Sequence, residues 1–124
     1  MVIFYADDDR DDRELFADAI EEVNPDIKLF LARDGLEIIQ LLENYKEVPD
    51  FIFLDINMPV MSGKECLKKL KGLDRLKSVP IIMYTTTSNK EEFKNLALLG
   101  AAECVVKGVS FQAIKDSLRN ILSD

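Results

Sequence analysis

The chain has 124 residues, of which 48% are hydrophobic and 31% are charged, a size and balance typical of one globular domain. Its formal net charge of −7 argues against binding to nucleic acid or to an anionic membrane surface, since both recruit lysine and arginine. The chain contains no histidine, which excludes Ser-His and Cys-His catalytic pairs, histidine-ligated metal sites, and a histidine kinase or histidine phosphotransfer protein.

The sequence shows no sign of export or membrane insertion. No apolar stretch is long enough to span a bilayer, and the start, MVIFYADDDR, lacks the basic and long apolar regions of a signal peptide. We therefore expect a cytoplasmic protein. Cys66 and Cys104 lie far apart and match no metal-binding spacing, so we expect both to be buried as small hydrophobic side chains.

Five short apolar runs predict five strands, at residues 2–5, 27–31, 51–54, 81–84 and 103–106. The third run is apolar throughout, which favours a strand buried on both faces. An amphipathic stretch with helical periodicity follows each run. This alternation predicts a single α/β domain over residues 1–124, a doubly wound parallel sheet with helices on both faces.

Capping residues predict where the helices begin and end. The first and fourth helices are predicted to be capped by Asp11 and Ser88, with an acidic return partner, Glu14 or Glu91, three residues later. Asp34 opens the second helix and Ser110 caps the fifth, while Asn24–Pro25 ends the first and Gly100 ends the fourth. The predicted inward faces carry Leu15, Phe16, Ala19, Ile20 and Val23; Leu36, Ile39 and Leu42; Cys66, Leu67, Leu70 and Leu73; and Phe111, Ile114, Leu118 and Ile121.

Polar side chains follow four of the predicted strands at their carboxyl ends, where open α/β sheets form their binding crevices. They are Asp7, Asp8 and Asp9 after the first strand, Asp55 and Asn57 after the third, Thr85, Thr86 and Thr87 after the fourth, and Lys107 after the fifth. We expect these carboxylates, hydroxyls and the one ammonium group to converge on a single rim.

Clustered carboxylates repel one another unless they share a proton or a cation. Oxygen ligands without histidine or cysteine suit a hard cation such as Mg²⁺, which Asp7 or Asp8, Asp55 and a backbone carbonyl near Asn57 could hold. An aspartate can also attack phosphorus and form an acyl phosphate when donors such as Lys107 bind the phosphoryl oxygens. The aspartate run, the threonines and the lysine are each common at strand ends or on the surface, whereas Asp55 is favoured because it follows the apolar run 51–54 and precedes a Met-Pro loop. The prediction depends on their combination.

Four motifs carry a resemblance to a known family: YADDD at 5–9, LDINMPVMSG at 54–63, PIIMYTTTS at 80–88 and VVKG at 105–108. With them, the chain resembles the response regulator receiver domains of two-component signalling over essentially its whole length. The resemblance implies a flavodoxin-like sheet in the order 2-1-3-4-5 with five helices, and a receiver domain without an output domain.

The resemblance also implies roles for individual residues. Asp55 matches the phosphoacceptor, and Asp7 and Asp8 match the acidic pair that binds Mg²⁺ together with Asp55. Asn57 matches the residue whose backbone carbonyl completes the metal site. Thr85 and Lys107 match the hydroxyl and the ammonium that bind the phosphoryl group.

A protein of this kind is implied to catalyse only its own phosphorylation and dephosphorylation. The donor would be a histidine kinase or a phosphotransfer protein, and the fourth helix, the fifth strand and the last helix would then change packing. A downstream protein would recognise that surface. No nucleic acid or membrane partner is expected.

Two positions depart from the family pattern. Gly108 stands where members usually have proline, often after a cis bond. A cis bond to a non-proline residue costs roughly 3–4 kcal/mol, so we expect the Lys107–Gly108 bond to be trans. We therefore expect the orientation of the Lys107 side chain to be less well defined. Cys104 stands where an aromatic residue usually relays the movement of the threonine, so that relay is expected to be weak or to use other residues.

Two alternatives remain open on the sequence. A phosphatase with an aspartate nucleophile also places aspartate after an apolar strand, but it needs a second aspartate two residues later as general acid, where this chain has Asn57. A scaffold that kept the fold and lost phosphorylation would be compatible with Gly108 and Cys104. The complete acidic set argues against the scaffold.

Overall fold

The structure, a computed structural model, describes residues 1–123. Strands β1 (Val2–Ala6), β2 (Lys28–Ala32), β3 (Phe51–Leu54), β4 (Ile81–Thr85) and β5 (Glu103–Val106) alternate with helices α1 (Arg10–Val23), α2 (Gly35–Asn44), α3 (Gly63–Lys71), α4 (Lys90–Leu98) and α5 (Phe111–Leu122). A short 3₁₀ helix, Asp74–Leu76, precedes β4. Within residues 1–123, no helix combines the length and hydrophobicity needed to cross a lipid bilayer.

The five strands form one parallel sheet in the order β2-β1-β3-β4-β5, which confirms the predicted fold. Ala6 of β1 lies opposite Leu54 of β3, and the amide of Asp55 donates to the carbonyl of Ala6 at 3.0 Å. The ladder between β4 and β5 ends in the same way: the amide of Lys107 donates to the carbonyl of Thr85 at 2.7 Å. Register therefore places the residues that follow these strands along one edge.

Successive strand residues point to opposite faces, so the sheet separates two hydrophobic cores. The core under α2, α3 and α4 is mostly aliphatic and includes Ile38, Leu42, Leu67, Leu70, Leu96, Ile52, Leu54 and Met83. The core under α1 and α5 is rich in aromatic rings and includes Tyr5, Phe16, Phe53, Tyr84, Ile114 and Leu118. Burial of each such side chain stabilises the fold by about 1.5–3 kcal/mol.

The aromatic core is a cluster of rings near the carboxyl edge of the sheet, in which Phe16 stacks on Tyr5 and meets Phe53 and Tyr84 edge to face. The ring centroid of Phe16 lies 4.1 Å from that of Tyr5, 5.1 Å from Phe53 and 5.7 Å from Tyr84. Contacting rings of this kind add about 0.5–1.5 kcal/mol per pair beyond their buried area. These ring contacts pack α1 against β1, β3 and β4.

Two predicted helix caps are wrong, each because a nearby residue makes the capping bonds. Asp9 caps α1 in place of Asp11: its backbone is extended, and its carboxylate accepts the amides of Asp11 and Asp12. Asn89 caps α4 in place of Ser88. The predicted caps Asp34 and Ser110 are confirmed, as is the end of α1 at Asn24, and Gly100 follows α4 with a φ of 111°.

Some residues predicted to face the core are exposed. Leu15 precedes the buried Phe16, and a helix turns about 100° between neighbours, so Leu15 lies outside the buried stripe. In α2 the buried position is Ile38, which leaves Leu36 exposed, and Leu73 lies beyond the end of α3 and is also exposed. Cys66 is buried as predicted, whereas Cys104 is only partly buried.

Candidate functional site

Three aspartates meet at the carboxyl edge of the sheet. Asp7 and Asp8 follow β1, Asp55 follows β3, and one carboxylate oxygen from each lies within 4.8 Å of the others. Asp7 and Asp55 are buried, whereas Asp8 is exposed. The predicted convergence of Asp7, Asp8 and Asp55 is therefore present, with two of the three carboxylates withdrawn from bulk water. Asp9, which was predicted to join them, caps α1 instead.

Asp7 has partners on both of its carboxylate oxygens. Oδ1 accepts the amide of Asp9 at 2.9 Å, while Oδ2 accepts the Tyr5 hydroxyl and the Lys107 ammonium, the latter at 2.6 Å. Burial, reinforced by the charge of Asp7, raises the pKa of Tyr5 well above its usual value, so the hydroxyl remains a donor. Since a carboxylate oxygen accepts about two bonds, Oδ2 is saturated and Oδ1 retains one acceptor position.

Lys107 is surrounded by three carboxylates. Its Nζ lies 2.6 Å from Asp7 Oδ2, 2.8 Å from Asp12 Oδ2 and 3.4 Å from Asp55 Oδ2. Burial lowers the pKa of Lys107, but its hydrogen bonds to Asp12 and Asp7 outweigh burial and hold the pKa above its ordinary value. The ammonium is therefore a fixed positive charge inside the acidic cluster.

Asp55 is the least neutralised of the buried carboxylates. Its Oδ1 accepts the amide of Ile56 at 2.8 Å, and its Oδ2 has only the 3.4 Å contact with Lys107 among the described residues. Burial raises the pKa of Asp55, Lys107 lowers it and Asp7 raises it again, with a net increase to about 6. Oδ2 is thus a carboxylate oxygen with lone pairs available for reaction.

The remaining predicted residues occupy different positions. Thr85 ends β4, is fully buried, and lies between the strands that carry Asp55 and Lys107; its Oγ1 accepts the amide of Thr87 at 3.4 Å. Asn57 lies in the loop after β3 and is exposed. The role of its carbonyl as a metal ligand stays a prediction.

The loop between β3 and α3 returns tightly against the backbone of Asp55. The amide of Gly63 donates to the carbonyl of Ile56 at 2.8 Å, and a Cβ on Gly63 would lie 2.1 Å from the carbonyl oxygen of Asp55. Only glycine therefore fits at this point. Within the same loop Val60 has a φ of 68°, and the amide of Met61 donates to the carbonyl of Pro59 at 2.7 Å. Val60 is therefore the central residue of a γ-turn with positive φ, a strained conformation for a branched residue.

The structure answers one of the questions raised by the unusual positions. Residues 1–123 contain no cis peptide bond, so the Lys107–Gly108 bond is trans, as predicted. The less defined orientation expected for Lys107 is wrong, because Asp7 and Asp12 hold its Nζ at 2.6 Å and 2.8 Å. Cys104 lies beside α4, with its Sγ 3.9 Å from the carbonyl oxygen of Phe93. The weakened relay expected from Cys104 stays a prediction.

Two residues of the site, Asp12 and Tyr5, were missed by the sequence analysis although signals for both existed. Asp12 stands four residues before the buried Phe16 and therefore on the same face of α1, directed at the sheet. Tyr5 stands two residues before Asp7, and a buried tyrosine hydroxyl needs a partner. Helical and strand periodicity could have assigned both to the site.

The family model of the response regulator receiver domain matches residues 3–119. The chain belongs to this family. The receiver domain is 30% identical over 122 residues to a chemotaxis protein CheY homolog of Campylobacter jejuni, an alignment that covers 98% of this chain and 92% of that protein.

Two cyanobacterial relatives are also similar to this receiver domain. The response regulator Rcp1 of Synechocystis is 30% identical over 96 residues, 73% of this chain and 65% of Rcp1. A structure of Mn²⁺-bound Rcp1 has a TM-score of 0.86 at 25% identity and covers 98% of this chain and 94% of that one. A structure of the phosphorylated cyanobacterial phytochrome response regulator RcpA has a TM-score of 0.88 at 26% identity, with the same coverage of 98% and 94%.

Proposed function

We propose that this receiver domain accepts a phosphoryl group on Asp55 from a histidine kinase or a phosphotransfer protein. One observation carries the proposal: Asp55 Oδ2 is a buried carboxylate oxygen without a short hydrogen bond, next to Lys107 and within an acidic cluster. The chain has no histidine, so the phosphohistidine donor must be another protein or domain.

The donor atoms of the cluster fit Mg²⁺. They are oxygens without nitrogen or sulfur ligands, and Asp7 Oδ1, Asp8 and Asp55 retain acceptor positions. We assign Asp7, Asp8, Asp55 and the backbone carbonyl of Asn57 as the residues that would hold it. Bound there, Mg²⁺ would neutralise charge on the incoming phosphoryl group.

The residues of the chain supply the rest of the transfer. An oxygen of Asp55 attacks the phosphorus, an O–P bond forms, and the N–P bond to the donor histidine breaks, with its electron pair leaving on the imidazole. Lys107 donates to a phosphoryl oxygen, and the hydroxyl of Thr85 is the second donor. Hydrolysis of the acyl phosphate later restores the carboxylate, so the protein acts catalytically only on itself.

The proposed output is a change in a protein-binding surface. Thr85 and Lys107 belong to the ends of β4 and β5, so their movement toward a modified Asp55 would alter the packing of α4, β5 and α5. A downstream protein would bind the altered surface. The likeness to phosphorylated RcpA supports phosphorylation of this chain, and the likeness to Mn²⁺-bound Rcp1 supports a divalent metal site.

The experiment is incubation with acetyl phosphate and Mg²⁺, followed by intact-mass measurement. The wild-type protein should gain one phosphoryl group, and a chelator should prevent the gain. Asp55→Asn should remain unmodified, whereas Asp18→Asn, which removes an exposed carboxylate from α1, should behave as wild type. An unmodified wild type would favour the scaffold alternative, and sustained hydrolysis of a phosphomonoester would favour the phosphatase.

A further inference from the structure

We propose that Asp12 is a positioning residue that holds the Lys107 ammonium on the α1 side of the site. When Asp55 is phosphorylated, the ammonium breaks its bond to Asp12 and binds the phosphoryl group. The inference rests on the proposed function of Asp55. It assigns a role to a residue outside the acidic set that surrounds the metal site.

The distances show which bonds Lys107 makes in the unmodified protein. Hydrogen bonds between an ammonium and a carboxylate are typically about 2.7–2.9 Å long. The contacts of Lys107 with Asp7 and Asp12 are of this length, whereas its contact with Asp55 is 3.4 Å. Asp12 therefore takes a full bond from the ammonium, and Asp55 does not.

The position of Asp12 is fixed by the packing of α1. Asp9 caps the helix and accepts the amide of Asp12 at 3.2 Å, and Phe16, one turn further on, stacks on Tyr5. The Tyr5 hydroxyl in turn bonds to Asp7. The two carboxylates that hold Lys107 are thus connected through a rigid helix and a buried ring.

Burial decides which of these two bonds can be given up. The Asp7 side chain is 0% exposed, and breaking its pair with Lys107 would leave a buried charge uncompensated, a large penalty. The Asp12 side chain is 31% exposed, so water can replace the ammonium at low cost. A phosphoryl group on Asp55 would add negative charge on the other side of Lys107, and Asp12 is the partner that the ammonium would leave.

The first experiment compares the wild type with Asp12→Ala, the matched control Asp11→Ala, and Asp12→Glu. The control removes the same charge from the neighbouring exposed position of α1. In Asp12→Ala, Lys107 does not have to break a bond to Asp12 before it binds the phosphoryl group. The acetyl phosphate concentration that gives half-maximal modification in the presence of Mg²⁺ should therefore fall about threefold to tenfold, the effect expected for the loss of one partly exposed charged hydrogen bond. Asp11→Ala should stay close to wild type, and Asp12→Glu should restore most of the wild-type value.

Equal values for the Asp12→Ala and Asp11→Ala proteins, or a higher concentration requirement in Asp12→Ala, would overturn the inference while leaving phosphorylation of Asp55 intact. A second measurement does not depend on phosphorylation: crystal structures of the unmodified wild type and Asp12→Ala. The distance from Lys107 Nζ to Asp55 Oδ2 should shorten from 3.4 Å to that of a full hydrogen bond in the variant. An unchanged distance would refute the positioning role, even if the wild type accepted no phosphoryl group.

Discussion

Lys107 Nζ lies 2.6 Å from Asp7 Oδ2, across 100 positions of the chain, and the two side chains are 9% and 0% exposed. A buried ion pair repays its desolvation only when further hydrogen bonds satisfy both groups. Here the Tyr5 hydroxyl and the amide of Asp9 also donate to Asp7, while Asp12 accepts a second bond from Lys107. The stability of the site and its chemistry therefore depend on the same network.

Mg²⁺ should raise the unfolding midpoint of the wild type, because an ion that binds the folded state stabilises it by about 2.7 kcal/mol at one hundred times its dissociation constant. Asp8→Asn should remove most of this rise and slightly stabilise the metal-free protein, since Asp8 is an exposed member of the acidic cluster. Thermal unfolding across a Mg²⁺ titration measures both effects. Asp18→Asn is the control, and a response of Asp8→Asn equal to that of wild type would remove Asp8 from the metal site.

The raised pKa of Asp55 predicts a pH dependence for the metal-free protein. Its pKa increases from 3.8 to about 6 on folding, so the folded state binds the proton more tightly than the unfolded state between these values. The free energy of unfolding should therefore fall as pH rises through this window, by on the order of 1 kcal/mol.

Asp55→Asn tests this prediction, because it keeps an acceptor for the Ile56 amide and cannot ionise. Above about pH 6 the variant should be more stable than wild type, and near pH 4 the two should converge, as measured by urea unfolding without Mg²⁺. Asp18→Asn should show no such divergence. Parallel curves for wild type and Asp55→Asn would mean that Asp55 ionises without cost in the folded protein.

Val60→Asn should stabilise the protein by about 1 kcal/mol, because asparagine adopts a positive φ more readily than a branched residue. Val60 has a φ of 68° and is 76% exposed, so little packing is lost. Thermal unfolding should show an increase of about 4 °C. Val48→Asn replaces another exposed valine, one whose φ is not positive, and an equal increase there would show that strain at Val60 is not the cause.

The alternation of strands and helices could be predicted because it depends on runs of apolar residues, which each element needs in order to be buried. Every predicted strand agrees with the structure to within one residue at each end. Helix caps were harder, since the segment from Asp7 to Asp12 offers five carboxylates and only the backbone conformation decides that Asp9 makes the bonds. The exposed Leu15 and Leu36 show the same limit: hydrophobicity alone does not fix the rotation of a helix.

The acidic cluster was predictable because parallel register carries residues after neighbouring strands to one edge. The hydrogen bonds inside it were not. Periodicity places Asp12 and Tyr5 on faces directed at the site, but the bond of Asp12 to Lys107 also depends on how α1 packs on the aromatic core, and the bond of Tyr5 depends on the orientation of the Asp7 carboxylate. The strain at Val60 was also hidden, since valine ordinarily avoids a positive φ.

The placement of the tyrosines gives the protein an optical signal of its own. The chain contains three tyrosines and no tryptophan. Tyr5 is bonded to Asp7, and Tyr84, with its ring centroid 5.9 Å from that of Tyr5, lies 5.9 Å from the Lys107 ammonium. Tyr45 packs instead in the core on the opposite face of the sheet. Near-ultraviolet circular dichroism and tyrosine emission should therefore register changes at the carboxylates directly, without an added label.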